Sequence, residues 1–158
     1  MNKDGFTLIE FLIYSTIVVF VIGSLTMMGV NVMYGRVHTA AMRDVNKNAR
    51  FSMSRMTSLI REAESAEVLS GGDLLSLTFS DPEENPTEVY VDEGVLQLVR
   101  GGGDPVDLTD EKVVVSIVFS QPEADLILIE AVFEFFNPAE MEEYEIIKSF
   151  RTLENIRK

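Results

Sequence analysis

Glu10 is the side chain most at odds with its surroundings. It borders a run, Phe11 to Tyr34, that has no charged residue and whose only polar members are Ser15, Thr16, Ser24, Thr26 and Asn31. An acid at the centre of a bilayer costs about 2.5–3.5 kcal/mol, so it calls for a partner charge. Phe6 stands four residues before it and is preceded by Gly5. Cutting the Gly5–Phe6 bond would create an α-ammonium group one helical turn from Glu10. The same group on a neighbouring helix has the right sign to pair with an acid in lipid. If that bond were cut, the chemistry open to Glu10 would be charge pairing between helices.

Other constellations are weaker. Catalysis needs a nucleophile, an acid/base pair or a metal cluster held together. His38 is the only histidine and cysteine is absent, so no enzymatic activity is expected. Gly101-Gly102-Gly103 is followed by Asp104-Pro105, not by lysine-serine and a helix, and is not read as a phosphate-binding loop. Asp104, Asp107 and Asp110, with Glu111, offer the oxygen ligands calcium uses, but without EF-hand spacing. They read first as solvated loop acids and only second as calcium candidates. No cofactor is expected.

The elements that position Glu10 follow from periodicity. Phe11 to Tyr34, at about 1.5 Å per residue, makes a helix of roughly 36 Å, enough to cross a hydrocarbon core of about 30 Å. Beyond it, Tyr34, Val37, Ala41, Val45, Ala49, Met53, Met56, Ile60 and Ala63 recur at steps of three and four, the apolar stripe of an amphipathic helix. With no proline before Pro82, one helix is expected from about Phe6 to about Glu64. Phe51 falls about 200° from Ala49, on the polar face with Asp44 and Arg55, where an aromatic suits a subunit contact.

After Ser70-Gly71-Gly72-Asp73 the period changes to two. Leu75, Leu77 and Phe79 alternate with polar residues, and Glu88–Val91 and Val95–Leu98 flank Asp92-Glu93-Gly94 as a hairpin. Gly101 to Pro105 reads as a flexible connector. Val113 to Phe119 and Leu126 to Phe136 are the strongest strands, joined around Pro122 to Asp125. Ile127, Ile129, Ala131, Phe133 and Phe135 share one face of the second. Tyr144 to Leu153 reads as a last strand after a loop at Pro138. The fold class is α+β: a long N-terminal helix, membrane-spanning in its first half, with an antiparallel β-sheet head packed on its second half.

Charge is unevenly spread. Tyr34 to Glu62 holds six bases and two acids, a net of +4, whereas Ala63 onward holds 22 acids and six bases, a net of −16. Direct nucleic-acid binding is therefore not expected of the head. A basic stem under an acidic head suggests electrostatic contact between neighbouring subunits, although a solvated acidic surface is the blander reading. The positive-inside count, with Lys3 nearly alone before the helix, favours a cytoplasmic stem.

Gly5-Phe6-Thr7-Leu8-Ile9-Glu10-Phe11, a short polar leader and the apolar helix together resemble the prepilin signature of type IV pilins and type II secretion pseudopilins. The resemblance implies leader removal after Gly5 by a membrane aspartyl peptidase that also N-methylates Phe6, with Glu10 guiding docking into a filament. It also implies a head outside the cytoplasm, against the charge count, and a pilin-like fold. The implied partners are the prepilin peptidase/methyltransferase, other pilin or pseudopilin subunits, an inner-membrane assembly platform and the membrane itself. Asp4 dilutes the usual basic leader, and the apolar helix has Gly23 and Gly29 in place of a proline. Ser149-Phe150-Arg151-Thr152-Leu153 loosely resembles the closing strand of minor subunits. The expected divisions are a leader (1–5), a membrane and filament-core helix (6–34), an amphipathic helix (35–65) and a β head (66–158). The alternatives are a bitopic protein with an acidic extracytoplasmic binding head and, behind it, a membrane-anchored hydrolase.

Overall fold

The structure, a computed structural model, describes residues 7–137 and 145–156. The expected helix is one continuous element, α1 (Leu8–Glu62), of 55 residues. It is long and apolar enough at its N-terminal end to cross a membrane. Up to Ala40 its side chains are exposed, apart from the half-buried Ser15 and Val37. Burial begins at Ala41 and continues through Val45, Ala49, Ser52, Met56, Leu59 and Ile60. The stripe read from the sequence thus packs from Ala41 onward, while Tyr34 stays exposed. Ser52 joins the core by returning its hydroxyl proton to the Asn48 carbonyl at 2.7 Å, which leaves no unsatisfied donor.

The helix ends two residues earlier than expected. Ala63 turns to an extended ψ of 146°, and the Glu64 N–H donates to the Thr78 carbonyl at 2.8 Å. The chain then enters a strand the sequence reading did not anticipate, β1 (Ser65–Leu69), paired in register Ser65 to Thr78 with β2 (Leu74–Thr78). No Pro or Gly marks this helix stop. Pairing with β2 takes over from local propensity.

The single expected sheet is divided in two. Among the described residues, β1, β2, β3 (Thr87–Asp92), β4 (Val95–Arg100) and β5 (Val106–Asp107) form one antiparallel sheet in chain order. The second sheet is β6 (Val113–Glu123), β7 (Leu126–Phe135) and β8 (Ile147–Asn155). The expected hairpin is β3–β4, with Glu93 at φ 48° and Gly94 at φ 84°, the two positive φ values of a type I′ turn. The strand around Val113 runs further than expected, through Pro122 to Glu123. The proline sits at a register irregularity between Ser120 and Glu123, where a ladder donor is dispensable. The connector at Gly101 is a pinned turn, not a loose link: the Gly101 N–H donates to the Pro86 carbonyl at 2.9 Å, and the Gly103 N–H to that of Arg100 at 2.8 Å. Pro138 and Tyr144 lie outside the described residues.

The second sheet lies on α1, and the first closes over the free edge of β6. Val115 N–H donates to the Gly94 carbonyl at 2.7 Å, and Gln121 Nε2 donates to the Ala66 carbonyl at 3.1 Å. Gly72, at φ 116°, lies so close that a Cβ there would stand 2.8 Å from the Phe119 carbonyl oxygen. Ile127, Ile129, Ala131 and Phe133 are buried as their alternation predicts, together with Phe119, Leu75, Leu77, Val89 and Leu96 in one core against the helix. Phe135 on the same face is only partly buried.

Candidate functional site

Gly5 and Phe6, the expected cleavage and methylation residues, lie outside the described residues. The site that is described begins at Thr7, the N-cap of α1, and Glu10 three residues on. Their spacing is that of a capping box, in which each side chain serves the other's backbone N–H. Glu10 N–H donates to Thr7 Oγ1 at 3.3 Å, and Thr7 N–H donates to Glu10 Oε2 at 3.0 Å. The Thr7 hydroxyl donates to the same Oε2 at 2.8 Å. Two donors therefore hold the carboxylate back against the N-terminal end of the helix, while Oε1 accepts nothing from the described residues. Sequence reasoning singled out Glu10 for its charge and missed the cap, although Thr7-Leu8-Ile9-Glu10 carries the signal.

Around this acid the helix surface is apolar and bare: Leu8, Ile9, Phe11 and Leu12 are all exposed. The hydroxyls along the run turn inward. Ser15 and Thr16 donate to the Leu12 carbonyl, Ser24 to that of Phe20 and Thr26 to that of Ile22, at 2.8–3.0 Å. A segment with its hydroxyls paired to its own backbone suits a solvent that offers no hydrogen bonds.

The calcium candidates do not converge. Asp107 Oδ1 accepts from Gln97 Nε2 at 2.9 Å, and Asp110 Oδ1 accepts from the Lys112 N–H at 3.3 Å. The Asp110 N–H is itself held by Asn48 Oδ1 on α1 at 2.9 Å. Asp104 and Asp107 line a shallow groove with Phe51, Arg55 and Arg100, so two arginines already share the groove with these acids. No three acidic, histidine or cysteine side chains among the described residues are placed to share a metal ion. Phe51 is exposed as expected, at 59%, and His38 is exposed on the stem.

One polar cluster had no local signal. Glu154 on β8 is buried and accepts from Thr57 Oγ1 at 3.2 Å, Thr152 Oγ1 at 3.1 Å and Arg61 Nε at 2.9 Å. It clamps the last strand to the helix across 97 and 93 residues of sequence. The described architecture is thus an α+β protein whose β head is clamped to the C-terminal half of one long helix. The other half of that helix is bare, apolar and long enough to cross a membrane. No family model, curated protein or solved structure matches the chain.

Proposed function

We propose that this chain is a minor subunit of a type IV pilus, a type II secretion pseudopilus or a DNA-uptake filament. It is held in the inner (cytoplasmic) membrane by the first half of α1, with its head outside the cytoplasm, until assembly. Prepilin peptidase cuts between Gly5 and Phe6 and methylates the Phe6 amine, and an inner-membrane platform then passes the mature chain to other pilin or pseudopilin subunits. The observation that carries this reading is Glu10: a lone acid at the membrane end of the apolar first half of α1, with one carboxylate oxygen that accepts nothing from the described residues. Two unpaired charges in an apolar setting each cost several kcal/mol, and pairing offsets both. Only one stagger of parallel helices brings a Phe6 ammonium against a neighbour's Glu10, so the pair also sets register. The retained Glu10 argues against the tip position that, in secretion pseudopili, lacks this acid. The minor role rests on the resemblance of Ser149 to Leu153, which forms part of β8.

Intact-mass measurement of membrane-extracted protein, from cells with an active prepilin peptidase, tests the reading. The expected species begins at Phe6 and carries one added methyl group. A chain that retains Met1 in those cells overturns it.

A further inference from the structure

Strand β8 ends the second sheet, and its far edge pairs with nothing among the described residues. The Phe135 N–H donates to the Ile146 carbonyl at 3.0 Å, and the Ile156 N–H to that of Asp125 at 2.9 Å. In an antiparallel ladder, pairs that exchange hydrogen bonds alternate with pairs that do not, and the register between these two points is unbroken. Lys148, Phe150, Thr152 and Glu154 therefore turn their backbone N–H and C=O groups toward β7. Ile147, Ser149, Arg151, Leu153 and Asn155 turn theirs outward. All five are exposed, and among the described residues no hydrogen bond reaches those outward groups. Folded proteins guard such an edge by shortening the strand or by placing proline, a bulge or a charge on it. β5, an edge of the first sheet, has two residues. β8 has nine, with no proline, no glycine and no break in its register, and spans about 30 Å. Charge is the guard it retains, through Lys148 and Arg151.

The exposed face beside this edge states what an added strand must carry. Along it stand Ile147, Ser149, Arg151 and Leu153, in order apolar, small, cationic and apolar. Ser149 pairs with Val132, and Val132 with Ser116; these short side chains floor a depression flanked by Val118 and Arg151. Arg151 Nε lies 3.2 Å from Glu130 Oε1 with 71% of its side chain exposed, and a guanidinium has five donors, so it can take a second carboxylate. An antiparallel strand sets one residue opposite each of the four. In the partner's own order, facing Leu153, Arg151, Ser149 and Ile147, the matching side chains are apolar, acidic, large apolar and apolar, at every second position. We infer that the outer edge of β8 binds an extended segment of another protein as an added antiparallel strand, and selects it by that alternation. Main-chain hydrogen bonds supply the affinity in such a mode and alternate side chains the choice of partner.

A second copy does not suit the edge. The twofold axis that would pair β8 with itself in antiparallel stands normal to the sheet, and α1 lies along the sheet's other face. That rotation points the two stems in opposite directions, which chains anchored in one membrane cannot adopt. The exposed face of β8 also offers no acid to meet a second Arg151, and like charges placed opposite one another are destabilising. The inference concerns the head and goes beyond the filament reading.

Full-length chain in phosphatidylcholine nanodiscs is titrated with a capped peptide in which threonine alternates with valine, glutamate, phenylalanine and valine, and amide hydrogen exchange is read residue by residue. In the free chain the amides of Lys148, Phe150, Thr152 and Glu154 should exchange slowly and those of Ile147, Ser149, Arg151 and Leu153 fast. The peptide should slow the second set by about tenfold or more. N-methylation of the peptide's glutamate and phenylalanine amides, which face the edge, should abolish binding, whereas methylation of two threonine amides should not. Lysine in place of the glutamate should weaken binding about five- to tenfold, and Arg151→Glu should reverse that preference. Ser149→Pro removes only an outward N–H, so it should lose the peptide and keep the parent's melting temperature. Outward amides that stay fast at millimolar peptide overturn the proposal. So does binding that survives methylation of the edge-facing amides or ignores the Arg151→Glu reversal. Protection that appears without peptide and grows with the amount of chain assigns the edge to a second copy and overturns it too.

Discussion

Glu10 serves the helix and, in the filament reading, the assembly, and substitutions separate the two. As the third residue of the capping box it satisfies the Thr7 N–H, a role that glutamine also fills. As a counter-ion it must carry charge, which glutamine does not. Glu10→Ala and Glu10→Gln should both insert in the membrane as well as the parent or better, since a costly acid is gone. Both should fail to crosslink into the filament when expressed beside partner subunits, although only the alanine variant loses the cap. Normal crosslinking with Glu10→Ala removes the assembly role and leaves Glu10 as a peptidase recognition element at most. Glu154 offers a second test at this scale. Its carboxylate gathers Thr57, Arg61 and Thr152 at the helix–β8 seam, and hydrogen bonds to a charged group contribute about 1.5–3 kcal/mol. Arg61 is 62% exposed at its side chain and regains water when released, so the lower end of that range applies. Denaturant unfolding of full-length Glu154→Ala in detergent should show a loss of about 1–2 kcal/mol. No loss would mean that the ladder with β7 and the packing of Phe150 hold β8 without the clamp.

Elements whose pattern is local were legible, and those set by distant partners were not. The helix was readable because a heptad-like stripe and the absence of proline act over neighbouring turns. The same holds for β7, where alternation alone separates Ile127, Ile129, Ala131 and Phe133 from the exposed Glu130 and Glu134. β1 was hidden because Ser65 to Leu69 follows a helical pattern with no stop signal, and only its register against β2 makes it a strand. β8 reads poorly for a different reason. It turns Lys148, Phe150, Thr152 and Glu154 toward the helix and leaves Ile147 and Leu153 exposed, at 54% and 53%. An apolar-in rule assigns that strand to the wrong face; the clamp on Glu154 holds it the other way round. The candidate site divides in the same manner: Glu10 stands out through its own neighbours, and its cap is spelled in four consecutive residues. Glu154 is fixed by residues nearly a hundred positions away and had no spelling at all.

At the scale of the whole molecule, the chain is one packed body and one bare rod. Every buried residue of α1 lies at Ala41 or beyond, and the described core closes entirely among the helix's second half and the two sheets. A chain beginning at Arg36 therefore keeps all of the described core and the Glu154 clamp, and it discards no buried residue of α1. It should be monomeric in buffer without detergent and should unfold in a single cooperative transition, as domains of this size do. Because the sequence has no cysteine, reducing agent should leave its melting temperature unchanged. The dependence on length is the sharper check. Starting at Val45 instead removes Ala41 and one turn of helix from the edge of the core, and this should lower the melting temperature by several degrees, since about 1 kcal/mol shifts domains of roughly 60–100 residues by about 4–8 °C and larger ones by about 2–4 °C. Calorimetry on the two fragments decides it. If cooperativity vanishes in the Arg36 fragment, the membrane segment contributes to folding of the head, and the boundary between rod and body lies nearer the N-terminus than the burial of Ala41 indicates.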